Sequence, residues 1–316
     1  MTRVAMVGAG VIGSSWAALF AAHGHEVSAS DPRPDAADEL RRSVERCWPS
    51  LERQRLVRED GSPDLVSVVG SAAAAVEGAA FVQENAPERL DLKHSLYREM
   101  DAAADADAVI ASSSSGLMPT ELQRACAHHP ERVLVGHPFN PPHLVPLVEV
   151  VGGEATSDTA IAAAMDTYTS IGKSPIHIRA ELPGHVTNRL QAALWREAYW
   201  LVEQGIVSVA DVDRAISSGP GLRWALLGPF ATQHLSGGEA GIAHVLEHLG
   251  PPMVEWWETL RSADWTPELR TAVVAGVDAE LAGLDQEQML DERDRLLEQL
   301  VVAKAAAHHL PGAGTQ

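Results

Sequence analysis

A histidine and a glutamate twelve residues apart are the two side chains best suited to move a proton. His137 follows the run Arg132–Val135, which predicts a strand, so its imidazole is expected at the carboxyl end of that strand. Glu149 stands within the apolar run Leu147–Val151, where a buried carboxylate is costly unless it is paired. A histidine is an economical partner, because the carboxylate orients the imidazole and raises its basicity. We therefore predict that His137 and Glu149 form an acid–base pair.

Two further polar segments could donate hydrogen bonds to a reacting group. The serine run 112–115 follows the predicted strand Val109–Ser112, and Asn188 begins the first helix predicted in the second half of the chain. A serine run is commonly a plain loop, and an asparagine at a helix start is commonly an N-cap. Because both are expected to face the same crevice as His137, a role in the site remains open for each.

A glycine-rich loop could bind phosphate. The loop between the predicted strand Val4–Val7 and the predicted helix Val11–His23 has the spacing GxGxxG and consists of Gly8, Ala9, Gly10, Val11, Ile12 and Gly13. The first glycine permits a tight turn, the second lets a pyrophosphate approach the backbone, and the third lets helix and strand pack closely. The amides at the helix N-terminus would then face the phosphates.

An acidic residue about 20 residues further on completes the pattern. Asp31 directly follows the predicted strand Glu26–Ser30, at the position where a carboxylate hydrogen-bonds the ribose hydroxyls of a dinucleotide. The same carboxylate would repel a 2′-phosphate, so NAD is favoured over NADP, although Arg33 lies close by. A glycine turn that binds nothing is the weaker alternative.

These residues need a sheet to position them. The first half of the chain alternates β-rich runs with helical stretches such as Asp35–Arg58, which predicts a Rossmann-like, doubly wound α/β sheet. Further strands are predicted over Val66–Val69, Phe81–Gln83 and Ile176–Ile178. After residue 182 the pattern becomes helical, with helices predicted over Asn188–Glu203, Val209–Ile216, Ala240–Leu249, Met253–Arg261, Pro267–Leu281 and Gln286–Ala307. We predict an NAD-binding domain over 1–182 and an all-α substrate and dimerisation domain over 183–316, frayed at 311–316.

Composition narrows the functional class. The 316 residues are 46% hydrophobic and 21% charged, which is typical of a globular protein of two domains. The net charge of −19 disfavours nucleic acid or an anionic membrane surface as a partner. Cys47 and Cys126 form neither a disulfide framework nor a metal motif, which predicts a cytoplasmic protein without a metal site. The uncharged stretch Val4–Ala22 imitates a signal peptide, but three glycines interrupt it.

Taken together, the motifs resemble the 3-hydroxyacyl-CoA dehydrogenase family over nearly the whole chain. The matching segments are the glycine loop, Glu84–Glu88, the serine run, His137–Pro141 with Leu147–Glu149, and Pro183–Gly184 with Asn188–Leu190. The resemblance implies that His137 is the catalytic base and Glu149 its orienting carboxylate, with Ser115 and Asn188 as donors to the reacting oxygen. It implies that Glu88, Lys93, Ser115 and Asn140 line the nicotinamide and its ribose. It also implies a homodimer.

Two departures concern the substrate. The family's usual Asn-Thr-Ser is Ser113–Ser115 here, and the segment Gly219–Phe230 contains Arg223 and Trp224. That segment is more similar to the branch containing L-gulonate 3-dehydrogenase, lambda-crystallin, carnitine dehydrogenase and some ketoreductases of aromatic polyketide pathways. Arg223 could hold a small carboxylate, or it could equally be an exposed or interfacial arginine. Trp224 could contact the substrate, but packing between helices is the favoured interpretation.

An arginine-rich segment offers a competing phosphate site. The arginines are Arg33, Arg41, Arg42, Arg46, Arg53, Arg55 and Arg58. They could bind the phosphates of CoA, or they could pair with the acidic residues among them on a solvated helix.

We predict an NAD-dependent oxidoreductase that interconverts 3-hydroxyacyl or 3-hydroxy-acid substrates with their 3-keto forms. The alternatives are a small-acid dehydrogenase of the L-gulonate or carnitine type, a polyketide β-ketoreductase, and a crystallin-like protein that binds NADH without turnover. The 3-hydroxyisobutyrate and 6-phosphogluconate dehydrogenases use a catalytic lysine near the second domain. The nearest lysine here is Lys173, outside that helix, which disfavours that group.

Overall fold

The computed structural model describes residues 2–310, so the expected fraying at 311–316 lies outside the described part of the chain. These residues form two compact units. The first comprises residues 2–186 together with 293–306, and the second comprises residues 187–292 with 307–310.

An eight-stranded sheet forms the centre of the first unit, in the spatial order β3-β2-β1-β4-β5-β6-β7-β8. Its strands are β1 Arg3–Val7, β2 Glu26–Ser30, β3 Val66–Val69, β4 Phe81–Glu84, β5 Val109–Ser112, β6 Val133–Pro138, β7 Leu147–Gly152 and β8 Ser174–Ile178. All neighbouring strands run parallel except β6 and β7, which are antiparallel. The predicted Rossmann-like α/β class is confirmed.

Helices cover both faces of this sheet. They are α1 Val11–Ala22, α2 Ala36–Arg53, α3 Ala72–Val76, α4 Leu90–Ala103, α5 Pro119–Gln123 and α6 Asp158–Ser170. Side chains alternate along a strand, so Val4 and Met6 of β1 pack in one core while Ala5 and Val7 pack in the other. Helix α2 ends at Arg53 rather than the predicted residue 58, because Arg55 takes a left-handed φ of 62°.

The reversal of β7 is the main feature that the sequence analysis did not include. Residues 139–146 connect β6 to β7, and a parallel crossover needs a dozen residues or more. A connection this short permits only an antiparallel return. The consequence is that residues at the carboxyl end of β6 lie opposite residues inside β7.

The second unit is helical, as predicted. Its helices are α7 Thr187–Glu203, α8 Val209–Ser217, α9 Pro220–Ser236, α10 Gly241–Thr259, α11 Pro267–Glu280 and the first part of α12 Gln286–Ala305. Helix α9 lies in a segment where no helix was predicted, and Gly228 interrupts it with a φ of 74°. The two helices predicted between residues 240 and 261 are one helix, which continues through Pro251 and Pro252.

The second part of α12 belongs to the first unit. Arg53 on α2 donates two hydrogen bonds of 2.7 Å to the carboxylate of Glu298, whose side chain is buried. The predicted division into domains 1–182 and 183–316 placed the whole of α12 in the second domain. The assignment of cofactor binding to one domain and of substrate binding and dimerisation to the other remains a prediction. Among residues 2–310, no helix is both long and apolar enough to span a bilayer.

Candidate active site

The glycine loop has the shape that a phosphate group requires. Gly8 has a φ of 97°, and a Cβ there would come within 2.8 Å of the backbone of Asn85. A Cβ on Gly13 would collide with the carbonyl oxygen of Gly8. At Gly10, by contrast, a Cβ would meet no described atom within 4 Å beyond its chain neighbours. Backbone atoms therefore pack against the loop at Gly8 and Gly13. At Gly10 the loop is open to a ligand, and there the N-terminus of α1 presents its amides.

Asp31 lies directly beside this loop. Its Oδ2 accepts a 2.9 Å hydrogen bond from the amide of Ala9, and its Oδ1 accepts a 2.8 Å bond from Nε of Arg33. Burial raises the pKa of Asp31, but the bonds from Arg33 and Ala9 outweigh it and leave the pKa below its ordinary value. Arg33 also pairs with Glu39, so two carboxylates already neutralise its charge. A cavity of about 370 Å³ opens between this loop and α2, and Arg33, Arg42 and Arg46 line it together with Glu39. The glycine loop and the Asp31 carboxylate fit a dinucleotide.

A buried ion pair supports the next loop. Nζ of Lys93 on α4 lies 2.7 Å from both carboxylate oxygens of Glu84 at the end of β4, and neither side chain is more than 1% exposed. Lys93 also donates to the carbonyl of Ala86, and Ser112 donates to Glu84. The ammonium is 3.9 Å from Glu88. Lys93 thus stabilises the loop that carries Glu88. Its contact with the nicotinamide remains a prediction.

The serines of the run have different partners. Ser113 donates to the side-chain oxygen of Asn85 at 2.7 Å, and Ser114 donates to Glu88 at 2.6 Å. The amide of Gly116 also donates to Glu88, at 2.8 Å. Burial raises the pKa of Glu88, but these bonds reverse the effect and leave it lowered. Of the four serines, only Ser115 is exposed and so accessible to a ligand.

His137 and Glu149 lie side by side. The antiparallel register pairs them directly, and Nδ1 of His137 is 2.9 Å from Oε2 of Glu149. Glu149 is completely buried, and its Oε1 accepts a 3.0 Å hydrogen bond from the amide of Val186. A carboxylate only accepts, so Nδ1 of His137 carries a proton, and in the neutral imidazole the free lone pair is on Nε2. That nitrogen is the one able to take a proton from a substrate.

Sequence reasoning missed His185. Its side chain is completely buried, and its ring centroid lies 5.3 Å from that of His137. Nε2 of His185 is 3.3 Å from the carbonyl oxygen of Ser114. The only signal in the sequence is the preceding Gly184, which indicates a turn.

The remaining predicted residues lie at accessible positions. Asn140 is exposed in the β6–β7 connection. In the second unit, Asn188 is half-buried in the first turn of α7, and Arg223 and Trp224 are exposed on α9. Their roles stay predictions.

A glycine loop for a dinucleotide and a histidine–carboxylate pair, both at the ligand-binding edge of one sheet, define a dinucleotide-dependent oxidoreductase. Residues 3–181 match the family model of the 3-hydroxyacyl-CoA dehydrogenase NAD-binding domain, and residues 184–277 match that of the 3-hydroxyacyl-CoA dehydrogenase C-terminal domain. The chain belongs to the 3-hydroxyacyl-CoA dehydrogenase family. It is an NAD-dependent enzyme, as predicted.

The curated relatives are close. The chain is 51% identical to L-carnitine dehydrogenase of Streptomyces coelicolor, over 93% of this chain and 92% of that protein. It is 43% identical to L-carnitine dehydrogenase of Bacillus cereus, over 98% of this chain and 94% of that protein.

Solved structures give the same family. One is the NAD⁺-dependent dismutase 5-formyl-3-hydroxy-2-methylpyridine 4-carboxylic acid 5-dehydrogenase, with a TM-score of 0.83, 29% identity, and coverage of 98% of this chain and 100% of that chain. Another is 3-hydroxybutyryl-CoA dehydrogenase from Escherichia coli, with a TM-score of 0.64, 26% identity, and coverage of 79% and 53%.

Proposed function

We propose that this enzyme oxidises L-carnitine, a 3-hydroxy acid with a quaternary ammonium group, to its 3-keto form with NAD. The observation that carries the proposal is the His137–Glu149 contact at the same sheet edge as the glycine loop. The 51% identity to an L-carnitine dehydrogenase supports this substrate.

The acid–base chemistry falls to the histidine. Nε2 of His137 takes the proton of the 3-hydroxyl, while the C3 hydride leaves and the C–O bond becomes a carbonyl. Glu149 stabilises the positive charge that forms on the imidazole. Bound NAD supplies the hydride acceptor. Ser115 and Asn188 donate hydrogen bonds to the reacting oxygen, each worth about 3–4 kcal/mol if it acts as an oxyanion-hole donor does.

Three residues are assigned to the cofactor side of this reaction. Glu88 and Asn140 are accessible from the loops after β4 and β6 and are proposed to bind the nicotinamide ribose. Lys93 is proposed to act on the nicotinamide ribose indirectly, because it donates a hydrogen bond to the carbonyl of Ala86 in the loop that carries Glu88.

Three of the seven arginines in the arginine-rich segment are less available to a CoA thioester, whereas Arg42 and Arg46 line the cavity beside the glycine loop. Arg33 and Arg41 pair with Glu39 and Asp38, and Arg53 pairs with Glu298. Arginines already paired with carboxylates are poor ligands for CoA phosphates. In the second unit, the exposed Arg223 offers a partner for the substrate carboxylate, and Trp224 offers a ring face for its quaternary ammonium.

The test is a substrate panel with the purified enzyme. L-carnitine, L-gulonate, acetoacetyl-CoA and an acetoacetyl thioester mimic are each assayed through NADH absorbance, with NAD and NADP forms of the cofactor. We expect the largest kcat/KM with L-carnitine and NAD, and loss of that turnover in His137→Gln with NADH binding retained. A higher kcat/KM for acetoacetyl-CoA, or wild-type turnover in His137→Gln, contradicts the proposal.

We further propose that the enzyme is a cytoplasmic homodimer joined through the helical unit. Helices α7 and α8 contain no buried residue, and Trp256 and Trp257 on α10 are each 62% exposed. A second copy would bury such apolar surface. Sedimentation equilibrium should give twice the chain mass, and a monomer at micromolar concentration contradicts the proposal. The free thiols of Cys47 and Cys126 fit a reducing compartment.

A further inference from the structure

Three features of His185 each carry a cost in free energy. Its φ of 51° is in the left-handed region, which non-glycine residues rarely adopt. Its ring is completely buried, and Nδ1 has no hydrogen-bond partner among the residues that the structure describes. A residue that combines backbone strain, desolvation and an unpaired nitrogen calls for a functional explanation.

The contacts of His185 converge on the acid–base pair. Its ring lies 5.3 Å from the ring of His137 at an interplanar angle of 44°. The ring of Phe139 meets the ring of His137 edge-on, with 5.4 Å between the ring centroids. The left-handed turn at His185 is followed by Val186, whose amide binds Oε1 of Glu149. One turn therefore contacts both members of the pair.

We propose that His185 is a positioning residue, whose ring fixes the plane of His137 and whose left-handed backbone aims the Val186 amide at Glu149. The inference rests on the proposed function of His137 and goes beyond it. Without the ring, His137 would keep the Glu149 bond but gain freedom to turn about it. The direction of its Nε2 lone pair, on which proton transfer depends, would then be lost part of the time.

The charge state of His185 suits this role. Its Nε2 faces a carbonyl oxygen, which only accepts, so Nε2 carries a proton. A second proton on the buried Nδ1 would find no acceptor among the described residues, so the ring is neutral. Burial lowers the pKa of His185, and the bond to Ser114 opposes that shift only in part. The titratable groups that face it are His137 on β6, Glu149 on β7 and Glu88 before α4. A neutral ring adds no second positive charge when His137 is protonated.

Two variants separate the ring from the turn. His185→Asn removes the ring and keeps a residue that tolerates a left-handed φ. His185→Phe keeps a ring against His137 and removes its nitrogens. The matched control is His177→Asn, since His177 is exposed on β8. Each is measured for kcat and KM with L-carnitine, the pH profile of kcat/KM, the dissociation constant of NADH and the melting temperature.

We expect His185→Asn to lower kcat about tenfold or more while KM and NADH affinity change little, and His185→Phe to recover most of the loss. In the asparagine variant the acidic limb of kcat/KM should move to higher pH, because water that enters the vacated space stabilises protonated His137. Wild-type kcat and pH profile in His185→Asn, or a phenylalanine variant as slow as the asparagine variant, overturns the proposal. A fall in melting temperature with unchanged kcat assigns His185 a purely structural role and also overturns it.

A measurement without turnover keeps this inference separate from the proposed function. Histidine-labelled NMR of the NADH complex follows the ring of His137 directly. We expect narrow ring signals in the wild type and the phenylalanine variant, and signals broadened by exchange in His185→Asn. If the wild type oxidised none of the substrates, the proposed function would fail, whereas unchanged His137 signals in His185→Asn would reject only the positioning role.

Discussion

Nδ1 of His137 and Oε2 of Glu149 are 2.9 Å apart because the antiparallel register of β6 and β7 sets the two residues opposite each other. The pair is therefore fixed by backbone hydrogen bonds as well as by its own contact. A second bond, from the Val186 amide, holds the other carboxylate oxygen.

Replacing Glu149 with glutamine should leave the imidazole without its charge partner. We expect kcat to fall about 10²–10⁴-fold, the range typical of losing a general acid–base contribution, with NADH affinity unchanged. Steady-state kinetics and NADH fluorescence titration measure the two effects. The control is Glu154→Gln, because Glu154 is exposed just beyond β7. Equal rates in the two variants would exclude a role for Glu149 in the chemistry.

Breaking the Lys93–Glu84 pair should destabilise the first unit. Either Lys93→Met or Glu84→Gln leaves a buried polar group uncompensated, and removing one partner of a buried pair costs about 3–5 kcal/mol. Urea unfolding of the NADH-free protein gives the free energy of unfolding. The double variant Lys93→Met/Glu84→Met should recover part of the loss because no buried charge remains. A single variant as stable as the wild type would show that water solvates the site.

The free energy of unfolding should decrease as the pH is lowered from 6.5 toward 4, because of His143. Burial lowers the pKa of His143 to about 4 from an ordinary 6.5. Between these values the unfolded chain binds a proton that the folded chain does not, so the stability present above pH 6.5 is lost progressively toward pH 4. The difference amounts to about 3 kcal/mol. Urea titrations of His143→Gln across this range should show a flatter slope than the wild type, and His177→Gln should match the wild type.

Cofactor preference should depend on Asp31. Asp31→Ser removes the carboxylate that would bind the ribose hydroxyls, and we expect NAD affinity to fall by about 1.5–3 kcal/mol, the value of a hydrogen bond to a charged group. The same change frees Arg33 from one of its two carboxylate partners, so affinity for NADP should rise. Calorimetric titration with both cofactors tests this. Unchanged selectivity between them would mean that Asp31 does not contact the ribose.

Much of this site could be predicted from the sequence, because burying an unpaired charge costs free energy. An apolar strand that contains Glu149 requires a partner, and His137 is the partner within reach. The same reasoning would have found the ion pair of Glu84, but the strand was predicted to end at Gln83, which put Glu84 in a loop. Lys93 was assigned to the cofactor from the family resemblance, and its ion pair with Glu84 was not predicted.

Other features depend on tertiary structure. Burial of His185 arises because its turn packs on residues distant in sequence, and no local pattern predicts that. The reversal of β7 could have been deduced, since residues 139–146 are too few for a crossover. The continuous helix α10 departs from the break that Pro251 and Pro252 would cause by propensity alone.

The short return between β6 and β7 has a wider implication for how such enzymes diversify. His137 and Glu149, the proposed base and its carboxylate, lie on one local hairpin, whereas the glycine loop comes from a remote part of the chain. Mutations that alter which alcohol is accepted, or which dinucleotide, therefore need not disturb the proton-transfer geometry. Redesign of specificity can therefore leave this hairpin unchanged, together with the turn at His185 and Val186 that contacts it, and vary the surrounding loops.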